Sequence, residues 1–168
     1  PWAPSRQTGF GRLSLAKLLA DSTPKVFIDE DHSSPNPPNR FISSGGFKNY
    51  TFTVADPTKP IVGALVWTDA PGNIGASTPR MNEIDMYVLQ GSYVYCDGQT
   101  YQGYSQRSTG CWLPDFYNTV KRFVIAPNSF TGTFTVQLVG SNITTHAVPG
   151  LDGTGPNQDW ALFLYNAY

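Results

Sequence analysis

The chain has 168 residues, a net charge of −1 and only 14% charged residues. That length fits one domain with its own core. The low, balanced charge leaves no electrostatic footprint for nucleic acid, and no run approaches the roughly 18 apolar residues of a membrane-spanning helix. The opening residues are polar and Pro-rich and do not read as a secretory signal. With 16 glycines, 14 prolines and 14% aromatics, the composition is that of short strands joined by turns.

In chain order, residues 9–20 form the one helical pattern: Leu15, Leu18 and Leu19 recur at helical spacing behind Phe10 and Leu13, and Asp21-Ser22-Thr23-Pro24 stops it. Residues 26–29 read as a short strand, 31–40 as a polar Pro-rich loop and 43–46 as a turn. Strands follow at 50–54 and at 61–68, the latter an apolar run expected to be buried on both faces. Residues 84–90 alternate, Gly91-Ser92 makes a hairpin turn and 92–96 return. Strands at 120–126, 133–143 and 160–166 complete a set of about eight. In the cleanest alternation, Phe134, Val136 and Leu138 share one face. Residues 144–157 form a long loop.

No arrangement of catalytic residues is legible. There is no Gly-x-Ser-x-Gly turn, and the nearest stretch, Gly103-Tyr104-Ser105-Gln106-Arg107, lacks the second small residue. His32 lies in a Pro/Ser loop beside Asp29, Glu30 and Asp31, and His146 has no acid within five residues; a triad needs a histidine held by a carboxylate and touching its nucleophile. Cys96 and Cys111 lack CxxC spacing, which argues against a zinc or thioredoxin-like centre, and admit either a disulfide or two free thiols. No Gly-rich phosphate loop opens a helix, and no pair of carboxylates is singled out for glycosidase chemistry.

Four oxygen-bearing side chains stand at strand ends or in turns: Asp69, Asn82, Asp85 and Asp115. They carry two readings. Calcium takes six to eight oxygens from such loops; alternatively, each side chain caps a turn through nearby backbone N–H groups. Asp29-Glu30-Asp31 is a second acidic cluster, read as solvated.

A series of landmarks spans residues 9–165 in order: Gly9-Phe10-Gly11-Arg12-Leu13; Leu65-Val66-Trp67-Thr68-Asp69-Ala70-Pro71-Gly72; Asn82-Glu83-Ile84-Asp85-Met86; Asp115-Phe116-Tyr117-Asn118-Thr119-Val120-Lys121; and Gln158-Asp159-Trp160-Ala161-Leu162. Together they resemble the C-terminal β-sandwich domain of subtilisin-like serine proteases, preceded by the last helix of the catalytic domain. Glu83, Thr119, Lys121 and the segment from Cys96 to Cys111 depart from the family pattern, and Lys121 in place of Glu puts a carboxylate-dependent metal site there in doubt. The resemblance implies an all-β fold, an eight-stranded antiparallel jelly-roll-like β-sandwich with one N-terminal helix: residues 1–22 resemble the end of a catalytic domain, and 23–168 form the sandwich. It also implies a secreted or extracytoplasmic setting, which favours a Cys96–Cys111 disulfide, and makes Asp69, Asn82, Asp85 and Asp115 candidate calcium ligands.

The functional expectation is a non-catalytic accessory domain that stabilises a subtilisin-like catalytic domain or chain and shapes substrate access, joined to it covalently or held after cleavage. The alternative is a carbohydrate- or protein-binding module, for which Tyr93, Tyr95, Tyr101, Tyr104 and Trp112 supply an aromatic-rich stretch.

Overall fold

A computed structural model describes residues 21–29, 40–78, 80–111, 115–147 and 155–168. The helix expected over 9–20, together with Glu30, Asp31, His32 and Trp112, lies outside the described residues. Those residues form eleven strands: β1 (Lys25–Ile28), β2 (Arg40–Phe41), β3 (Phe47–Thr53), β4 (Ile61–Val66), β5 (Glu83–Gln90), β6 (Tyr93–Tyr101), β7 (Tyr104–Ser108), β8 (Val120–Ile125), β9 (Thr133–Asn142), β10 (Gln158–Asp159) and β11 (Ala161–Tyr165). All pair antiparallel in three sheets: a four-stranded one in the order β1-β11-β4-β8, a five-stranded one in the order β3-β9-β5-β6-β7, and the short pair β10-β2.

The two larger sheets face each other across one core. Phe134, Val136 and Leu138 point into it from β9, as their alternation predicts, with Ile84, Met86 and Val88 from β5 beside them. Ile61, Leu65, Phe123, Ile125, Leu162 and Leu164 answer from the four-stranded sheet. Trp160 closes one end, edge-on to Tyr50 at 5.8 Å.

The strand expected over 61–68 is shorter than its apolar run, and only one of its faces is covered. Ile61, Gly63 and Leu65 are buried, whereas Val62 and Ala64 are half-buried and Val66 is exposed. The expectation of burial on both faces is therefore corrected. The hairpin at Gly91-Ser92 is present, with Gln90 opposite Tyr93 and Gly91 in the left-handed region at φ 60°. Its return strand runs beyond Cys96 to Tyr101 and turns again into β7, which the sequence did not suggest because YSQRS is polar. Ser105 in β7 is buried, and its Oγ accepts the Val124 N–H at 3.0 Å. That bond ties the rim of one sheet to the edge of the other.

Cys96 and Cys111 form a disulfide across a separation of 15 residues, pinning the segment after β7 to β6. Loop-closure entropy for this length predicts that reducing the bond costs about 3 kcal/mol. Urea unfolding with and without reductant measures it, and a change below about 1 kcal/mol contradicts the assignment of a stabilising role.

Gly63 sits where β4 passes over Phe123; a Cβ there would run into Cε1 and Cζ of that ring. Gly63→Ala should destabilise by about 1–3 kcal/mol, and adding Phe123→Leu should remove part of that cost as a coupling energy in a double-mutant cycle.

Candidate functional site

Two polar constellations are built at neighbouring ends of the core, and the four residues singled out from sequence divide between them.

The first is a backbone clamp. After β4 the chain leaves the four-stranded sheet and crosses to β5 of the five-stranded one, and Asp69 holds both ends of the crossing. Its Oδ1 accepts the N–H groups of Ala70 and Asn82, each at 2.9 Å, and its Oδ2 accepts the Met81 N–H at 2.6 Å. Asn82 extends the clamp. Its Nδ2 donates to the Thr145 carbonyl at 2.8 Å and to Gln158 Oε1 at 3.0 Å. Its Oδ1 accepts from the Thr144 and Thr145 N–H groups, both at 3.0 Å. Gln158 Nε2 donates onward to the Thr68 carbonyl at 2.9 Å. Asn82 and Gln158 are fully buried, so every one of these bonds replaces water that is not there. Asp69 caps its turn in the manner the turn-capping reading describes, whereas Asn82 bonds to the distant Thr144, Thr145 and Gln158.

The second constellation surrounds the Lys121 ammonium. β8 brings Lys121 inward between Val120 and Arg122, and its side chain is 0% exposed. Nζ lies 2.9 Å from Glu83 Oε1, 3.0 Å from Asp97 Oδ2 and 3.8 Å from Asp85 Oδ1. It also donates to the Asp115 backbone carbonyl and stands 6.0 Å from the centre of the Trp67 ring. Arg80 pairs with Glu83, and Ser141 Oγ donates to Asp85 Oδ2. β5, β6, β8 and the turn before β8 thus each contribute a wall.

Three carboxylates face two cations here, in a largely buried site. Burial pushes the Asp97 carboxyl up despite the adjacent Lys121 ammonium. Burial lowers the Arg80 guanidinium, opposed by Asp85 and Asp69. Burial, followed by the negative charge of Asp85, pushes the Tyr87 phenol up to about 12. Asp115 behaves differently. Burial raises it, but the Asn118 side chain at 2.6 Å and the N–H groups of Tyr117 at 2.9 Å and Asn118 at 3.2 Å outweigh that and hold it below the usual carboxylate range. Its side chain caps the turn, and its backbone reaches the cage: the carbonyl accepts from Lys121 and the N–H donates to Asp97 Oδ2 at 3.3 Å.

Of the four candidate calcium ligands, therefore, Asp85 supplies a carboxylate oxygen and Asp115 a backbone oxygen to this cage, while Asp69 and Asn82 belong to the clamp. Among the described residues, no group of three or more His, Cys, Asp or Glu side chains is placed to hold a metal ion; the carboxylates that do gather are spaced around an ammonium. Sequence reading missed Glu83 and Asp97 as members. The available signal was the register of Lys121, which shares its face of β8 with the buried Phe123 and Ile125.

Among the described residues, Ser105 Oγ accepts the Val124 N–H, and the backbone of His146 forms a β-bridge with Asn157 in the late loop. The tyrosine stretch is not one exposed row. Tyr95 is buried against Phe130 at 5.9 Å, Tyr93 carries the Arg107 guanidinium at 4.1 Å, and Tyr101 alone is widely exposed, at 65%. No protein-family model matches the chain, and no curated protein is significantly similar to it.

Replacing Asn82 by Ala leaves two N–H groups and two carbonyl-type acceptors without partners. The expected loss is about 3 kcal/mol or more, since each buried orphan costs roughly 1–3 kcal/mol; chemical unfolding checks it.

The lowered Asp115 carboxyl means that the folded chain holds fewer protons than the unfolded one as pH falls through the carboxylate range. Its contribution is complete above about pH 4 and is lost below it. Asp115→Asn should therefore be less stable than the parent at neutral pH, and the gap should close in acid. Paired thermal melts from neutral pH into acid test this; a gap that stays constant contradicts it.

Proposed function

We propose that the chain is a non-catalytic docking and stabilising domain with a jelly-roll-like arrangement of its two sheets, held against a subtilisin-like catalytic domain by the outer face of β1-β11-β4-β8. The observation that carries this reading is the chemistry of that face. Along one register row it presents Phe27, Phe163, Ala64 and Arg122; the rows beside it present Tyr165 with Val62, and Ala161 with Val66 and Val120. Phe27 is 67% exposed and stacks on Phe163 at 5.0 Å, and Val66 is 41% exposed. An antiparallel sheet with one solvated face normally alternates apolar with polar residues. Here the outer face is largely apolar between Lys25 on one edge strand and Arg122 on the other, and an apolar patch rimmed by polar residues marks an interaction surface.

The topology favours a partner that precedes the domain in sequence. β1 is the edge strand of the same sheet, and the chain reaches it through a locked corner: Asp21 Oδ2 accepts the Tyr165 O–H at 2.6 Å, and Lys25 Nζ donates to the Thr23 carbonyl at 2.9 Å. The Tyr165 and Thr23 hydrogen bonds hold the Asp21 carboxyl below the usual carboxylate range. A domain joined ahead of Asp21 is thereby delivered beside the apolar face with little freedom. The landmark motifs that resemble the subtilisin-associated sandwich name the class of that domain, and the disulfide fits the oxidising setting such proteases occupy. The scattered tyrosines weigh against the carbohydrate-binding alternative, which needs a coplanar exposed row.

The test is association with the subtilisin-like catalytic domain encoded with this chain. The chain alone should not hydrolyse casein, and it should lengthen the thermal half-life of the catalytic domain. Phe27→Asp combined with Val66→Asp should weaken binding at least tenfold, about 1.4 kcal/mol, with the melting temperature of the chain itself unchanged. Calorimetry that detects no binding at high micromolar concentration, or binding indifferent to the double substitution, overturns the proposal.

A further inference from the structure

We propose that the Lys121 ammonium is the resident cation of a calcium-class cage: it occupies the place a divalent metal would take, keeps this domain independent of calcium, and leaves a calcium-binding site when it is removed.

The argument begins with hydrogen-bond capacity. An ammonium has three N–H groups. The Asp115 carbonyl accepts one, and Glu83 Oε1 and Asp97 Oδ2 lie at ion-pair distance, 2.9 and 3.0 Å. Asp85 Oδ1 is farther, at 3.8 Å. Asp85 Oδ1 and Asp97 Oδ1 are buried without a hydrogen-bond partner, and the Glu83 oxygens are met by the charges of Lys121 and Arg80 without a hydrogen bond. Asp97 as a residue is only 2% exposed. Arg80 meets Glu83 Oε2, Ser141 donates to Asp85 Oδ2 and the Asp115 N–H donates to Asp97 Oδ2. Even so, Asp85 Oδ1 and Asp97 Oδ1 are left over, in a set drawn from three carboxylates and a backbone carbonyl. That is the ligand set of a hard cation with six to eight positions.

The spacing explains why metal and lysine exclude each other. Calcium sits about 2.3–2.6 Å from its oxygens, whereas the nearest carboxylates here stand 2.9 and 3.0 Å from Nζ. The walls are set for the larger N–H···O distance, and a divalent ion beside a buried ammonium would meet a like charge at contact range. A cleft of about 260 Å³, lined by Arg80, Glu83, Asp85, Phe116 and Ser141 among others, opens onto the carboxylates, so an ion and its waters have a route in once the ammonium is gone. This disagrees with the calcium expectation raised by the sequence. The native chain uses a tethered charge where an ion was expected.

Trp67 makes the site readable, because its ring lies 6.0 Å from Nζ, close enough to sensitise terbium luminescence. The full chain and Lys121→Ala are compared in millimolar calcium and in chelator, then titrated with terbium under indole excitation. The parent should melt at the same temperature in both media and give no sensitised emission. Lys121→Ala should melt several degrees lower in chelator and recover in calcium. It should also give emission that is lost on adding Asp97→Asn. If Lys121→Ala does not fold in chelator, calcium should refold it, as judged by circular dichroism. A calcium-dependent melting temperature in the parent overturns the proposal. So does a Lys121→Ala variant that is indifferent to calcium or stays unfolded in its presence, or terbium emission that survives Asp97→Asn.

Discussion

A single buried positive charge organises one end of this domain. Burying an ammonium is costly unless opposite charges and hydrogen-bond acceptors meet it at close range. Lys121 is enclosed on every side, so its charge dictates where the start of β5, the middle of β6 and the turn before β8 can lie. Remove the charge, and three carboxylates that now face inward would repel one another in a largely buried site. The cage thus acts as a specificity device: few other registers of β8 against β5 and β6 bring one ammonium to all of these oxygens at once.

The same residue types do different work in the two constellations, and the difference lies in the supply of N–H groups. Asp69, Asn82 and the Asp115 side chain are surrounded by backbone donors at turn corners. Their oxygens each accept hydrogen bonds from close by. Glu83, Asp85 and Asp97 lie in or beside strands whose N–H groups belong to the ladders, so they are donor-poor and turn to a cation. A carboxylate at a strand end is therefore a cap or a ligand according to which backbone groups surround it, a property of the fold rather than of the residue.

This also sets how much was legible in the chain. The period-two alternation of Phe134, Val136 and Leu138 located β9 and its buried face, because a half-buried strand writes its orientation into sequence. The strand-plus-turn pattern around Asp69 located the clamp. The polar edge strand β7 carries no such alternation, and the two-residue β10 is too short to show any. The cage depends on β6 and β8 meeting across a long stretch of chain, which no local pattern encodes. The apolar run through β4 was read as buried on both faces, a fair inference for a central strand. Its outer side instead stands uncovered in Val66 and, on neighbouring strands, Phe27, because what the run specifies is that both faces seek apolar contact and not where that contact comes from.

The corner where the chain enters β1 is also where it leaves β11. Asn166, at a left-handed φ of 68°, turns the chain out of β11. Its N–H donates to the Pro24 carbonyl at 2.8 Å, and its Nδ2 donates to the Asp56 carbonyl at 2.7 Å. Tyr168 then crosses to the other sheet, where it exchanges hydrogen bonds with Thr53 at 2.8 and 3.1 Å. Tension arriving along the polypeptide from either side first meets this small knot of Asp21, Asn166 and Thr53, remote in sequence from Lys121. The knot can open bond by bond while the ladders of both sheets and the charged cage remain intact, which makes it a mechanical fuse for the rest of the domain.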